Sequence, residues 1–290
     1  MFTVATDTSC DIFRNELDAM GVPWVPLTYT IDGTSYPDDF TSDEQCKEFY
    51  AKIRAGAMPS TSQINTFLQT EFLERLVSEG HKEIVYLTLS KGLSATYAAA
   101  CAAAKDVMDK HPDVSIYVVD TISATWVQGW LVRDAVKFRD EGMSAEEAAE
   151  RLNVEATRLH AWIYVDDLNH LKRGGRVSGA AAAIGTLLKI KPILIIGKDG
   201  GLKVVHKAMG TGKALRYMAE MVEKYCTDPS HFFICTADGW DTCNAMADIL
   251  REKYPEATVE TGWLGPVIGA HVGPGMIGLI FKGDPNSRSV

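Results

Sequence analysis

Four short stretches gather the side chains that could do chemistry. LSKGLSATY (89–97) places Ser90 and Ser94 where an apolar run meets an alanine-rich segment. PSTSQ (59–63) offers three hydroxyls ahead of another helical pattern, LNHLKRGGRVS (168–178) sets Arg173 and Arg176 around paired glycines, and GPVIGAHVGPG (265–275) holds His271 among glycines. A serine at a strand-to-helix join can be a nucleophile, an anion clamp or a helix cap. As a nucleophile elbow, GLSAT (92–96) lacks the last glycine of G-x-S-x-G, and no spacing picks out a partner histidine and carboxylate. It is not a P-loop either, since GxxxxGK[ST] is absent. The clamp asks for less: the first amides of a helix have no internal partners and carry the positive end of its dipole, so a carboxylate or phosphate fits there. The join alone leaves capping and clamping equally open. A second hydroxyl cluster, Ser60-Thr61-Ser62, ahead of another expected helix favours convergence on one anion. Arg176, beside a glycine turn, suits inward pairing with that anion, whereas Arg173 reads more simply as part of a solvated basic loop. A lone histidine is ordinarily structural; among glycines that allow close backbone approach, His271 could orient another side chain.

The elements that must position these residues alternate strand and helix through the first half. Strands are expected at 2–5, 24–29 (closed by an Asp32-Gly33 turn), 84–89 and 115–119, with helices at 44–54, 64–78, after Ser94 and at 124–139. That order implies a parallel sheet covered on both faces. Ser144 and Glu147 form a capping-box pattern that opens the next helix. The pattern then changes. A strand at 160–165 and an alanine-rich helix at 177–188 precede strands at 193–197 and 202–207, which flank Asp199-Gly200-Gly201 as a hairpin. Helices at 213–226 and 242–253, a strand at 232–236 and a glycine-rich terminal pair of strands complete the chain. The expectation is an α/β protein of two domains: 1–158 with a parallel sheet and 159–290 with a mixed sheet.

The chain has 290 residues, 46% of them hydrophobic, which suffices for two cores. Its start, MFTVATDTSCD, has no basic leader, and no apolar run nears the roughly 20 residues of a bilayer span. A cytoplasmic protein without an integral membrane segment is expected. A net charge of −9, spread along the chain, removes the electrostatic basis for non-specific nucleic-acid binding. Six cysteines without CxxC spacing and seven histidines without an HExxH pair point to reduced thiols and no metal.

Taken in order, TDTSCD (6–11), TSQ (61–63), LSKGLSATY (89–97), VDTISA (119–124), LKRGGRVS (171–178), KIKPIL (189–194) and IGAHVGPG (268–275) resemble the DegV family of bacterial lipid-binding proteins across nearly the whole chain. The resemblance implies one long-chain fatty acid buried between two α/β domains, with no other cofactor. It implies a non-catalytic subunit that holds the lipid while a separate ATP-binding kinase subunit phosphorylates its carboxylate. Ser62 and Ser94 would contact the carboxylate with Thr61 close by, and Arg176 and His271 would form the polar network behind them. The alanines at 98–100, 102–104 and 180–183 could leave room for the tail, or simply serve helix packing. Three features depart from the family. The segment after the hairpin has Met209 and Thr211 where arginines for docking the kinase are common, Ile64 replaces the proline usual after TSQ, and Trp126 and Val127 add bulk. Two other readings therefore stay beside the leading one: a serine hydrolase or acyltransferase using Ser94, and a lipid-responsive regulatory protein with no kinase partner.

Overall fold

The structure is a computed structural model that describes residues 1–166, 168–177 and 190–285. Its strands, in chain order, are β1 (Thr3–Asp7), β2 (Trp24–Val25), β3 (Thr28–Ile31), β4 (Thr34–Pro37), β5 (Ser60–Ser62), β6 (Glu83–Thr88), β7 (Ser115–Asp120), β8 (Leu159–Tyr164), β9 (Ile190–Ile196), β10 (Leu202–Met209), β11 (Cys226–Thr236), β12 (Thr258–Trp263) and β13 (Ile277–Gly283). The described helices are α1 (Arg14–Ala19), α2 (Asp43–Arg54), α3 (Thr66–Ser78), α4 (Thr96–Lys110), α5 (Trp126–Asp140), α6 (Ala145–Arg158), α7 (Asn169–Arg173), α8 (Thr211–Tyr225), α9 (Trp240–Lys253) and α10 (Pro266–Val272).

The first sheet is all parallel, in the order β2-β1-β6-β7. In β6, Ile84 to Thr88 are buried without alternation, as expected of a parallel strand covered on both faces. Helices α3 and α4 cover one face, and α5 and α6 the other. Leu159 then opens a six-stranded mixed sheet, β10-β9-β8-β13-β11-β12, directly after α6 ends at Arg158. Strand β11 shows why this sheet is filled on both sides. Phe233 and Cys235 point into the core shared with α5, while Phe232 and Ile234 pack under α8 and α9. Full burial of such side chains contributes about 1.5–3 kcal/mol each. The architecture is thus two α/β units, one with a parallel sheet and one with a mixed sheet, joined through a continuous apolar layer.

Several local expectations need correction. The strand expected at 24–29 splits at Pro26, which cannot donate to a ladder, and its second half pairs antiparallel with β4 and β5 in a separate three-stranded sheet. The Ser60-Thr61-Ser62 cluster is strand β5 rather than a helix N-terminus; Asn65 caps α3 instead, its Oδ1 accepting from the Leu68 amide at 3.0 Å. The terminal glycine-rich strands are not neighbours, since β11 lies between β12 and β13. His271 lies in α10, where Pro266 at the first turn and Gly273 at the end set the limits. The alanine-rich helix expected at 177–188, with alanines 180–183, lies outside the described residues apart from Val177.

Candidate functional site

The loop after β6 is built on close backbone approach. Ser90 Oγ donates to Gly200 O at 3.0 Å and accepts from the Gly92 amide at 3.0 Å, so this hydroxyl is a structural bridge. A Cβ on Gly92 would lie 2.5 Å from Asp199 O and 2.7 Å from Gly201 N, which is why glycine stands where this loop crosses the β9–β10 hairpin turn. Asp7 anchors the loop from below: its carboxylate accepts from the amides of Ser9 at 2.9 Å and Leu89 at 3.1 Å, and from Gln128 Nε2 at 3.0 Å. Burial raises the Asp7 pKa despite those bonds. The TDTSCD motif is therefore scaffold for the loop that carries Ser94.

Ser94 stands one residue ahead of the α4 cap position, Ala95. Its Oγ accepts from the Thr96 amide at 3.2 Å and lies 3.0 Å from Thr96 Oγ1. Thr61 Oγ1 lies 2.8 Å from His271 Nε2, so the imidazole is engaged with Thr61 and not with Ser94. The hydrogen-bonded nucleophile–base pair of a serine enzyme is not the arrangement found among the described residues.

Arg176 approaches from the segment after α7. Its Nε donates to Leu93 O at 3.3 Å and its Nη1 to Gly174 O at 2.5 Å. Partial burial lowers its pKa, yet a guanidinium keeps its charge in proteins. Among the described residues no carboxylate pairs with it. Arg173 is exposed and points to Met58 Sδ and His170 Nδ1 instead. The His271 pKa is pushed down to about 4, first by burial and then by the Arg176 charge, so the ring is neutral at neutral pH. Gly174 meets that ring edge-on at Nδ1: a Cβ there would clash with Nδ1 and lie 3.1 Å from Cε1. Nδ1 has no hydrogen-bond partner among the described residues.

Thr61, Ser62, Ser94, Arg176 and His271 line one cavity of about 60 Å³. A second, almost wholly apolar cavity of about 50 Å³ adjoins it, and Leu93, Leu202, Ile268 and Val272 form walls of both. The floor of the second cavity is the inner face of the mixed sheet, where Ala161 and Gly278 leave a trough beside Cys235. A Cβ on Gly278 would come within 2.8 Å of Cys235 Sγ. The far wall is the loop Ser123-Ala124-Thr125. Here Ile122 (φ 52°) and Thr125 (φ 60°) are β-branched residues in the left-handed region, a conformation that costs of order 1–3 kcal/mol and clusters at functional sites. The α4 alanines line neither cavity; Ala100, Ala103 and Ala104 pack in the core as ordinary small residues against α3. Sequence reading missed the four shared walls. One available signal was Gly278, a glycine inside a strand pattern, which marks close approach by a neighbour or ligand.

A further group lies at the other end of α10. Asp11 and Asp38 are each 1% exposed, and Asp38 Oδ2 accepts from the Val267 amide at 3.4 Å. A Cβ on Gly265 would touch Asp11 Oδ1 at 2.6 Å. Burial, followed by the Asp38 charge, pushes Asp11 well above the usual carboxylate range, and burial raises Asp38 to about 8. This pair fixes the start of the helix whose end carries His271.

A polar head lined by hydroxyls, one guanidinium and a neutral imidazole thus opens onto an apolar extension, and proteins of known structure share this fold. A Thermus thermophilus DegV protein described as fatty-acid binding is 28% identical, with a TM-score of 0.85 over 98% of this chain and 99% of that one. The Streptococcus pneumoniae fatty acid kinase (Fak) B3 protein, loaded with linoleic acid, shares the fold with a TM-score of 0.84 at 20% identity, over 98% of this chain and all (100%) of that one. A DegV domain-containing protein of Clostridium perfringens is 37% identical over 285 residues, 98% of each chain. The DegV family profile matches residues 1–283, and the chain belongs to that family.

Proposed function

We propose that this protein binds one long-chain fatty acid, with the carboxylate at Thr61, Ser62 and Ser94 and with Arg176 and His271 as the supporting polar network, and presents it to a separate ATP-binding kinase subunit for phosphorylation. The observation that carries the reading is Arg176: a partly buried guanidinium beside hydroxyls, with no carboxylate partner among the described residues. An anionic ligand would complete it, since a buried charge needs a counter-charge and hydrogen bonds. The adjoining apolar cavity selects an anion with a hydrocarbon tail. Each methylene buried contributes about 0.8 kcal/mol before ordering costs, so a chain of about 16 carbons has a large gross driving force. In this reading the halves 1–158 and 159–290 each give one side of the head site, Thr61, Ser62 and Ser94 from the first and Arg176 and His271 from the second. The two cavities are small against the roughly 300 Å³ or more of a small-molecule site, so the walls between them must part to admit the tail.

Native mass spectrometry of the purified protein, followed by solvent extraction, tests the first half of this proposal. A stoichiometric long-chain fatty acid supports it, and a protein that stays empty after incubation with palmitate and oleate refutes it. The kinase half is tested by acyl-phosphate formation with ATP and a captured kinase subunit. A loaded protein that no such subunit phosphorylates favours the lipid-responsive regulatory reading, for which Met209 and Thr211 at the usual arginine positions already speak.

A further inference from the structure

A third cavity, of about 140 Å³, is lined by Trp126, Trp130, Arg133, Asp134, His231 and Phe233. One wall of this cavity is an aromatic stack that adjoins the walls of the apolar cavity without lining it. Trp126 lies on Phe233 with ring centroids 4.0 Å apart and planes 21° from parallel. Trp126 directly follows Thr125, and Phe233 lies two residues from Cys235 on the same sheet face and opposite Ile280; Thr125, Cys235 and Ile280 all wall the apolar cavity.

The indole is held from every side. Its Nε1 donates to Trp263 O at 2.8 Å. Gly262 gives it clearance below, since a Cβ there would lie 3.0 Å from Trp126 Cε2, and a Cβ on Gly129 would lie 3.3 Å from Cε3. The Arg133 guanidinium sits 5.0 Å from the ring centre. The strained φ of 60° at Thr125 fixes where the helix, and so the indole, begins. Val127, by contrast, lines none of these cavities.

We infer that Trp126, stacked on Phe233, is the end stop of the acyl slot and sets the longest chain this protein accepts, with the chamber behind it as space denied to the tail. The inference rests on the fatty-acid reading and adds a specificity residue to it. The slot runs from the hydroxyl head, past Leu93, Leu202, Ile268 and Val272, along the Ala161–Gly278 trough, and ends at the stack. Opening the stop adds the 140 Å³ chamber, which at roughly 30 Å³ per water-sized group holds about four methylenes.

The test measures Kd for a series of saturated fatty acids of increasing length, on the full chain and on Trp126→Ala. Wild type should show a length beyond which affinity falls by roughly tenfold or more, and the variant should move that limit out by about four carbons. Trp126→Phe keeps a ring on Phe233 and should move the limit by less, in the same direction; it is the variant to read if the alanine form does not fold, as judged by circular dichroism. A folded variant with an unchanged length profile, beside a wild type that binds, overturns the stop alone. A wild type that binds no fatty acid of any length overturns the binding reading and the stop with it.

Discussion

Gly174 offers a direct check on the polar network because its backbone makes no demand for glycine. It ends α7 at φ −72°, an ordinary right-handed conformation, so alanine is disfavoured there only by what its Cβ would meet. It would meet the His271 ring, clashing with Nδ1 and reaching 3.1 Å from Cε1 and 3.3 Å from Cγ. The ring cannot simply back away, because Nε2 is held 2.8 Å from Thr61 Oγ1. Gly174→Ala should therefore cost the usual overpacking penalty of about 1–3 kcal/mol and loosen the Thr61 contact, whose net worth is about 0.5–1.5 kcal/mol. In a His271→Ala background the clash is gone, and the same change should be neutral or stabilising by about 0.4–1 kcal/mol through the unfolded chain. Urea unfolding of the four proteins in the cycle gives the coupling, expected at about 2 kcal/mol or more. An equal cost of Gly174→Ala with and without the imidazole would refute the argument that this glycine exists to seat His271.

Two other expectations follow from the site. Ser94→Ala should weaken fatty-acid binding by about tenfold, the worth of one hydrogen bond to a charged group, while thermal unfolding changes little because the α4 start loses one amide partner; unchanged affinity would remove Ser94 from the site. Asp38 should shape the alkaline side of the stability profile. Burial raises its folded pKa to about 8 against an ordinary value of 3.8, so between those values the folded state holds a proton that the unfolded state releases, and stability falls as pH rises through that window. His271 works in the opposite sense between about 6.5 and 4, since its folded pKa is lowered and its stabilisation is lost as pH falls. Measurement from pH 7 to 8 avoids His271 and stays below the ordinary thiol value of 9.0, where the buried cysteines would add their own loss, so the slope there reports the buried carboxyls Asp38, Asp11 and Asp7. Asp38→Asn should flatten the loss of urea stability across that range, and an unchanged slope would show that Asp38 is ionised in the folded protein.

How legible the molecule was in sequence depended on whether a signal was local. The β6 apolar run, the Ser144–Glu147 capping box and the Asp199-Gly200-Gly201 hairpin are short-range features, and each forms the expected element. The errors arose where tertiary pairing decides. Nothing local distinguishes Ser60-Thr61-Ser62 as a strand from three hydroxyls before a helix; its pairing with Thr28–Thr30 decides it. His271 reads as lying between strands because glycines surround it, yet Gly265 and Gly273 are the two ends of one short helix. The five candidate site residues were readable as polar side chains, Thr61 and Ser62 in a hydroxyl cluster and Ser94, Arg176 and His271 beside glycines. Their common cavity was not, because it joins segments from Thr61 to His271 that only the packing of two sheets brings together.

Helix α10 ties these parts into one device. Val267, Ile268, His271 and Val272 all line the head cavity, and Ile268 and Val272, four residues apart on one helix face, continue into the apolar one. The helix that orients Thr61 through His271 therefore also forms half of the constriction between head and tail. Movement of α10 that parts this constriction also disturbs the Thr61–His271 contact, so recognition of the carboxylate and admission of the chain are not independent. The buried Asp11–Asp38 pair at Gly265 and Val267 restrains the start of α10, and at its C-terminal turn the His271 ring is seated between Thr61 and Gly174. Ile268→Ala tests this arrangement because it removes one wall without touching the head groups. It should cost less stability than the roughly 2–5 kcal/mol of a fully buried large-to-small change, because Ile268 is only half-buried and borders both cavities. It should also speed exchange of bound fatty acid while the head contacts, and so the requirement for a carboxylate, stay intact. If exchange measured by competition with a labelled fatty acid is no faster in the variant, the Leu93–Leu202–Ile268–Val272 constriction is not the barrier the tail crosses.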